Sequence, residues 1–267
     1  MTIALSLFAL LGTLYGSYIW RKRARRKALL TSRLSPQDRA RVDALVPIVA
    51  RLPEDLHARL EGKMALFEHQ TTCVGCDGLE VTRDMELSIA AQACLLIVNT
   101  DAWYASLRTI LIYPSAFRSG EQSADGLVVH SGEARLGESW DNGPVVLSWP
   151  HSEQGGLNPE DGHNLVLHEF AHQLDALSGK ANGIPVLGSA RQMLRWASVF
   201  SEAYEMHRQT VMRGKASVLD PYGAENYAEF FATAIEVFFE KPARLKDEQP
   251  QVYGQLSKLL NLDPAAW

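Results

Sequence analysis

Asn164-Leu165-Val166-Leu167-His168-Glu169-Phe170-Ala171-His172-Gln173-Leu174-Asp175 is the most informative stretch of this 267-residue chain. Apolar residues surround the polar ones at 168, 169 and 172, so a helix here is largely buried and those three need a partner inside the protein. Two histidines four residues apart lie on one helical face, about one turn apart, which lets both imidazoles reach one tetrahedral Zn2+. Glu169 follows the first of them and can stand beside a metal-bound water without ligating the metal. The ion lowers the pKa of that water toward ~7 and Glu169 accepts its proton, giving a nucleophile for a carbonyl carbon. The pattern His-Glu-x-x-His is that of metallopeptidase helices, although the five letters also arise in unrelated solvated helices.

A catalytic zinc takes a third protein ligand and keeps a fourth position open. An extension with Gly three and His six residues after His172 is absent, because Asp175 and Ser178 stand there. Asp175, one turn on, is placed to orient a histidine or, less favourably, to ligate. The better source is Glu225-Asn226-Tyr227-Ala228-Glu229-Phe230-Phe231-Ala232-Thr233-Ala234-Ile235-Glu236, which offers three carboxylates. Glu229, between Ala228 and Phe230-Phe231, is a poor place for an unpaired charge and ranks first. Capping or surface roles explain Glu225 and Glu236 more easily. His163 is turned about 140° away from His168 on a helix and makes a poor ligand. His69, His130 and His151 read as surface or loop residues.

Composition bounds the rest. With 46% hydrophobic and 21% charged residues, 19 Gly, 12 Pro and 3 Cys, the chain is neither disordered, collagen-like nor a disulfide-stapled miniprotein. A formal charge of −5 argues against a general nucleic-acid binder. That figure hides an asymmetry. Residues 1–27 hold no Asp or Glu and six basic residues in Arg21-Lys22-Arg23-Ala24-Arg25-Arg26-Lys27, which leaves 20 Lys plus Arg against 31 Asp plus Glu beyond them, a net −11. Residues 3–20 carry no formal charge and as a helix would reach ~27 Å, just enough to span a bilayer. Tyr15, Tyr18 and Trp20 stand where the apolar run meets the basic one, as at a headgroup boundary. The expectation is a transmembrane anchor over 1–20, a basic tether over 21–34 and a catalytic domain over 35–267, at the cytoplasmic face of the inner membrane. A cleaved signal peptide fits less well, since the charge follows the apolar run. An amphipathic or packed helix on a soluble cytoplasmic protein is the alternative.

Ser35-Pro36-Gln37-Asp38 opens a helix, another starts after Pro53 and runs toward Phe67, and a third fits residues 83–98. Residues 72–80 break the pattern with Cys73-Val74-Gly75-Cys76. With Cys94 the only other cysteine, this pair reads as a loop with free thiols rather than half a zinc site or a redox pair. Strands are expected at 109–113, 127–130 and 145–149, separated by turn-rich segments such as Ser119-Gly120 and Asp141-Asn142-Gly143-Pro144. The last strand either pairs with extended substrate or packs inside. From about Asn158 the chain reads as helical. The fold class is α+β, mostly helical, with a small sheet.

At these residues the sequence resembles the Mlc titration factor A family of zinc-dependent peptidases. The match extends beyond His168-Glu169-Phe170-Ala171-His172 to Ile110-Leu111-Ile112-Tyr113-Pro114, Gly143-Pro144-Val145-Val146-Leu147-Ser148-Trp149, Asn182-Gly183-Ile184-Pro185, and the run from Tyr222 through Glu229-Phe230-Phe231-Ala232 to Phe238-Phe239. It covers roughly residues 35–265. The resemblance implies a gluzincin-like, zincin-type core binding one zinc ion, with Glu229 as third ligand beside His168 and His172. It also implies that Tyr222 stabilises the oxyanion, a task suited to a phenol; a turn tyrosine packed beside Pro221 explains the same residue. Aminopeptidase-like hydrolysis of peptides and a regulatory interaction with the Mlc repressor of sugar uptake are implied as well. The N-terminal addition and the Cys73 and Cys76 pair are not features of that family. A rival of another class is a membrane-tethered binding protein that sequesters a transcriptional regulator, with zinc structural or vestigial.

Overall fold

Short polar side chains start several of the helices by taking free amides at their first turns. In the computed structural model, which describes residues 2–115 and 143–267 with side chains from Leu11 onward, Ser35 accepts from the Asp38 N–H at 3.0 Å and Thr82 from the Met85 N–H at 3.3 Å. The element order is α1 Thr2–Leu30, α2 Pro36–Leu45, a 3-10 turn Pro47–Arg51, α3 Glu54–Gln70, β1 Thr72–Gly75, α4 Arg83–Leu95, β2 Thr109–Tyr113 and β3 Val145–Ser148. There follow α5 Trp149–Leu157, α6 Leu165–Ala176, α7 Ala190–Met212, a 3-10 turn Pro221–Ala224, α8 Tyr227–Glu240, α9 Pro242–Glu248, α10 Pro250–Leu260 and a 3-10 turn Pro264–Ala266. The fold is mostly helical with a small parallel sheet. The strand expected at 127–130, the turn at Ser119-Gly120, Asp141-Asn142 and His130 lie outside the described residues.

From Leu87 onward α4 is buried on every face and is accordingly the centre of the core: Leu87, Ile89, Ala90, Ala93, Cys94 and Leu95 are all fully buried. α2, α3, α5 and α6 pack around it. Among the described residues the sheet has the order β1-β2-β3, with Thr72 beside Thr109 and Ile110 beside Val145. Its buried side chains, Ile110, Ile112, Val145 and Leu147, join the same core. β3 runs directly into α5 and then α6, so the sheet delivers the chain to the zinc-type motif.

Three expectations are corrected. The transmembrane anchor over 1–20, and with it the contact to the inner membrane, is not supported: among the described residues no helix is long and apolar enough to cross a membrane. Gly12, Thr13, Gly16 and Ser17 dilute the apolar run, and Arg21 begins a series of charges inside the same unbroken helix. The end of α1 belongs to the body. Leu29 and Leu30 pack on the core, Arg26 lies 5.3 Å over the Trp103 ring, and the Leu30 backbone rests on Gly62 of α3, where a Cβ would overlap its carbonyl. Residues 72–75 are a strand rather than part of a loop, because β2 offers a parallel partner that no local pattern announces. Residues 149–157 form α5, and the expected strand at 145–149 stops at Ser148. Gly155 and Gly156, which mask the helix in sequence, are required by close approach: a Cβ would come 2.9 Å from Asn164 Cα and 2.9 Å from the Leu45 carbonyl oxygen respectively.

Candidate metal centre

Asn164 opens α6 by accepting from the Leu167 N–H at 2.9 Å, which sets the phase of the helix so that His168 and His172 face α8. Asn226 opens α8, accepting from the N–H groups of Ala228 and Glu229, and so places Glu229 in the first turn, where the helix dipole favours a carboxylate. Three ligand atoms converge. His168 Nε2 lies 2.9 Å from Glu229 Oε2, His172 Nε2 lies 3.4 Å from the same oxygen, and the two nitrogens are 3.2 Å apart. Ligands 2.0–2.1 Å from a tetrahedral ion are about 3.3 Å from each other, so this triangle has the size of one face of such a site. These three residues could hold a metal ion, and among the described residues they form the group of His, Cys, Asp or Glu side chains that could do so.

The charges agree with that use. Burial alone would lower His168 and raise Glu229, but the bonds of His168 to Glu229 and Glu236, and those of Glu229 to His168 and His172, outweigh it, so the imidazole is shifted up and the carboxylate down. The site is thus built to pair a cation with a carboxylate. Glu169, on the same turn as His168, is pushed up by burial, opposed by the two histidines. Tyr222 sits in the 3-10 turn Pro221–Ala224, with its ring centroid 6.0 Å from that of His168. That turn is held from several sides. Asp220 caps it through the Tyr222 N–H, His207 Nε2–H donates to the Asp220 carbonyl at 2.9 Å, and Tyr204 donates to the Ala224 and Glu225 carbonyls. Gly223 is required there, because a Cβ would come 2.5 Å from Thr233 Oγ1.

Sequence reasoning misplaced one carboxylate and missed another. Glu236, expected to cap or face solvent, is buried, with Oε1 2.8 Å from His168 Nδ1 and Oε2 accepting from the Asn164 N–H at 2.5 Å. Glu240 is buried beside it, accepting from the Gly162 N–H at 2.8 Å and from Asn164 Nδ2 at 3.1 Å. The available signal was the interval: 229, 236 and 240 share one face of an otherwise apolar helix. Asp175 serves a loop: it accepts from the Gly183 N–H at 2.6 Å, and burial raises its pKa to about 6. Gly183, at φ +78°, would place a Cβ 2.5 Å from the Tyr227 carbonyl oxygen, and its own carbonyl accepts from Trp196 Nε1 at 2.8 Å. Thus Asn182-Gly183-Ile184-Pro185 is pinned where α6, α7 and α8 meet.

Other candidates lie elsewhere. Glu225 is exposed, and His163 is exposed and 3.7 Å from Asp220 Oδ2. His69 is exposed, and exposed His151 pairs with Ser148 Oγ at 2.9 Å. Cys73 and Cys76 are free thiols, and burial pushes Cys73 up to about 12.

The chain is similar to known proteins over most of its length. The family described as glucose-regulated metallo-peptidase M90 matches residues 20–260. The chain is 39% identical over 244 residues to the uncharacterized protein slr2042 of Synechocystis, covering 90% of this chain and 89% of that one. It is 33% identical over 227 residues to Mlc titration factor A of Yersinia pestis and of Yersinia pseudotuberculosis, covering 83% of each chain. Since the family match spans both the His168 to His172 helix and the Glu229 helix, the chain belongs to the glucose-regulated metallo-peptidase M90 family.

Proposed function

We propose that this protein is a zinc-dependent peptidase with a zincin-like core, in which His168, His172 and Glu229 hold one Zn2+. The observation that carries the reading is the triangle of two imidazole nitrogens and one carboxylate oxygen, 2.9 to 3.4 Å on a side, with Glu169 on the same turn. Two nitrogens and one oxygen suit zinc better than the oxygen-rich sets of calcium or magnesium. When bound, zinc supplies a Lewis acid that polarises a carbonyl and brings the pKa of water down to about 7.

The residues of the chain do the rest. Glu169, whose pKa burial raises, accepts the proton of the attacking water on its carboxylate and passes it to the nitrogen of the departing amine. Tyr222, beside His168, donates its O–H to the carbonyl oxygen as negative charge develops there. The substrate is a peptide, and the resemblance to the family implies aminopeptidase-like cleavage. Glu169→Gln is expected to retain zinc while hydrolysis of a peptide library falls on the order of 100- to 10,000-fold. Cleavage by that variant at the wild-type rate would falsify the general-base assignment, and a wild type that takes up no zinc would remove the metal reading altogether.

A second reading is favoured by the name of the Yersinia relatives: a protein that binds Mlc, the transcriptional repressor. Binding to Mlc that persists in Glu169→Gln separates that role from catalysis.

A further inference from the structure

Burying a carboxylate is costly unless its oxygens are all engaged, and a helix as apolar as α8 is an expensive place to keep three. Glu229, Glu236 and Glu240 nevertheless stand in it at intervals of seven and four residues, on one face, all at least 94% buried. Glu229 reaches the candidate metal position and Glu240 the loop before α6. Glu236 lies between them and divides its two oxygens: Oε1 meets His168 Nδ1 at 2.8 Å, and Oε2 takes the Asn164 N–H at 2.5 Å.

That division has a chemical consequence. A neutral imidazole carries one N–H, and a group that can only accept holds it on the nitrogen facing that group. Nε2 faces an acceptor too, Glu229 Oε2 at 2.9 Å, but that oxygen is itself a ligand in the metal reading. With an ion held between them, Glu236 would keep the hydrogen on Nδ1 and leave the Nε2 lone pair for the ion. The other oxygen ties the same carboxylate to the residue that caps α6, so the imidazole ring and the start of its helix are referenced to one group on α8. A strut between helices would need the second contact but not the first.

We infer that Glu236 is a positioning residue for the metal, fixing the tautomer and ring orientation of His168 so that Nε2 is the ligating atom. This rests on the metal reading proposed above. Glu236→Gln is isosteric yet cannot accept at both oxygens. Whichever way the amide turns, it either presents N–H to His168, favouring the wrong tautomer, or leaves two N–H groups facing each other at Asn164.

The test is a zinc titration against a chromophoric chelator on the full chain, with Glu225→Gln, an exposed position, as control. Expected is zinc binding weakened on the order of 10- to 100-fold in Glu236→Gln and within about threefold of wild type in Glu225→Gln. Thermal midpoints of the metal-free proteins are measured alongside. If Glu236→Gln lowers the midpoint but leaves the zinc constant unchanged, the residue is a strut and the inference is overturned. Should the variant fail to fold, nitrogen-15 NMR of the zinc-loaded wild type still decides: a protonated Nδ1 on His168 supports the assignment, and a protonated Nε2 overturns it. Failure of zinc to bind wild type at all would instead overturn the metal reading beneath it.

Discussion

Glu240 gives up its water to sit against Gly162 and Asn164, and the two donors it receives recover only part of the loss, so burial raises its pKa to about 8. Between its ordinary value near 4.5 and about 8, the folded protein therefore holds a proton there that the unfolded chain has released. Its contribution to stability is full below pH 4.5 and is lost as pH rises toward 8, with a slope of at most about 1.4 kcal/mol per pH unit. Urea unfolding from pH 5 to 9 in chelator should show that slope shrink in Glu240→Gln, and identical pH profiles for the two proteins would refute the assignment. The residues at 168, 169, 172 and 229 were legible because each breaks an apolar pattern at a spacing with a chemical use. Glu236 and Glu240 break the same pattern, but neither has an evident use taken alone, and their purpose appears only when α6 is laid against the face they share.

Among elements, the seam between α1 and α3 turns on Gly62. A glycine in the middle of a helix ordinarily costs up to about 1 kcal/mol relative to alanine, so Gly62→Ala should stabilise α3 taken alone. Here the added methyl would overlap the Leu30 carbonyl, a backbone atom that cannot turn aside, and overpacking of that kind costs about 1 to 3 kcal/mol. The overlap outweighs the propensity, and Gly62→Ala should lower the unfolding free energy by roughly 1 to 2 kcal/mol; a raised denaturation midpoint would show that the seam is loose. The long helices were readable from caps and apolar spacing. β1 and α5 were not: a four-residue strand has no periodicity of its own, and Gly155-Gly156 looks like a turn until Asn164 and Leu45 are seen packed against it.

For the whole molecule, the first firm contacts of α1 begin at Arg26 and Leu29, while its side chains from Leu11 to Arg25 are largely exposed. Deleting residues 2–25 should therefore leave the thermal midpoint and zinc binding as they were. Deleting through Leu34 removes Leu29, Leu30 and the Arg33 and Leu34 contacts to buried Glu61, and should lower the midpoint by several degrees. Equal midpoints for the two deletions would mean that the helix end contributes nothing to the body. The charge division at residue 27 was plain in the sequence, but not the continuity of the helix across it, since hydropathy registers only the apolar half. An unbroken helix of 29 residues is about 43 Å long, and its basic run straddles the point where it enters the body, with Arg26 already over Trp103. The unbroken helix couples direction as well as distance: a partner that held Arg21 to Lys27 would also set the heading of the body, a constraint that a loose linker carrying the same six charges would not impose.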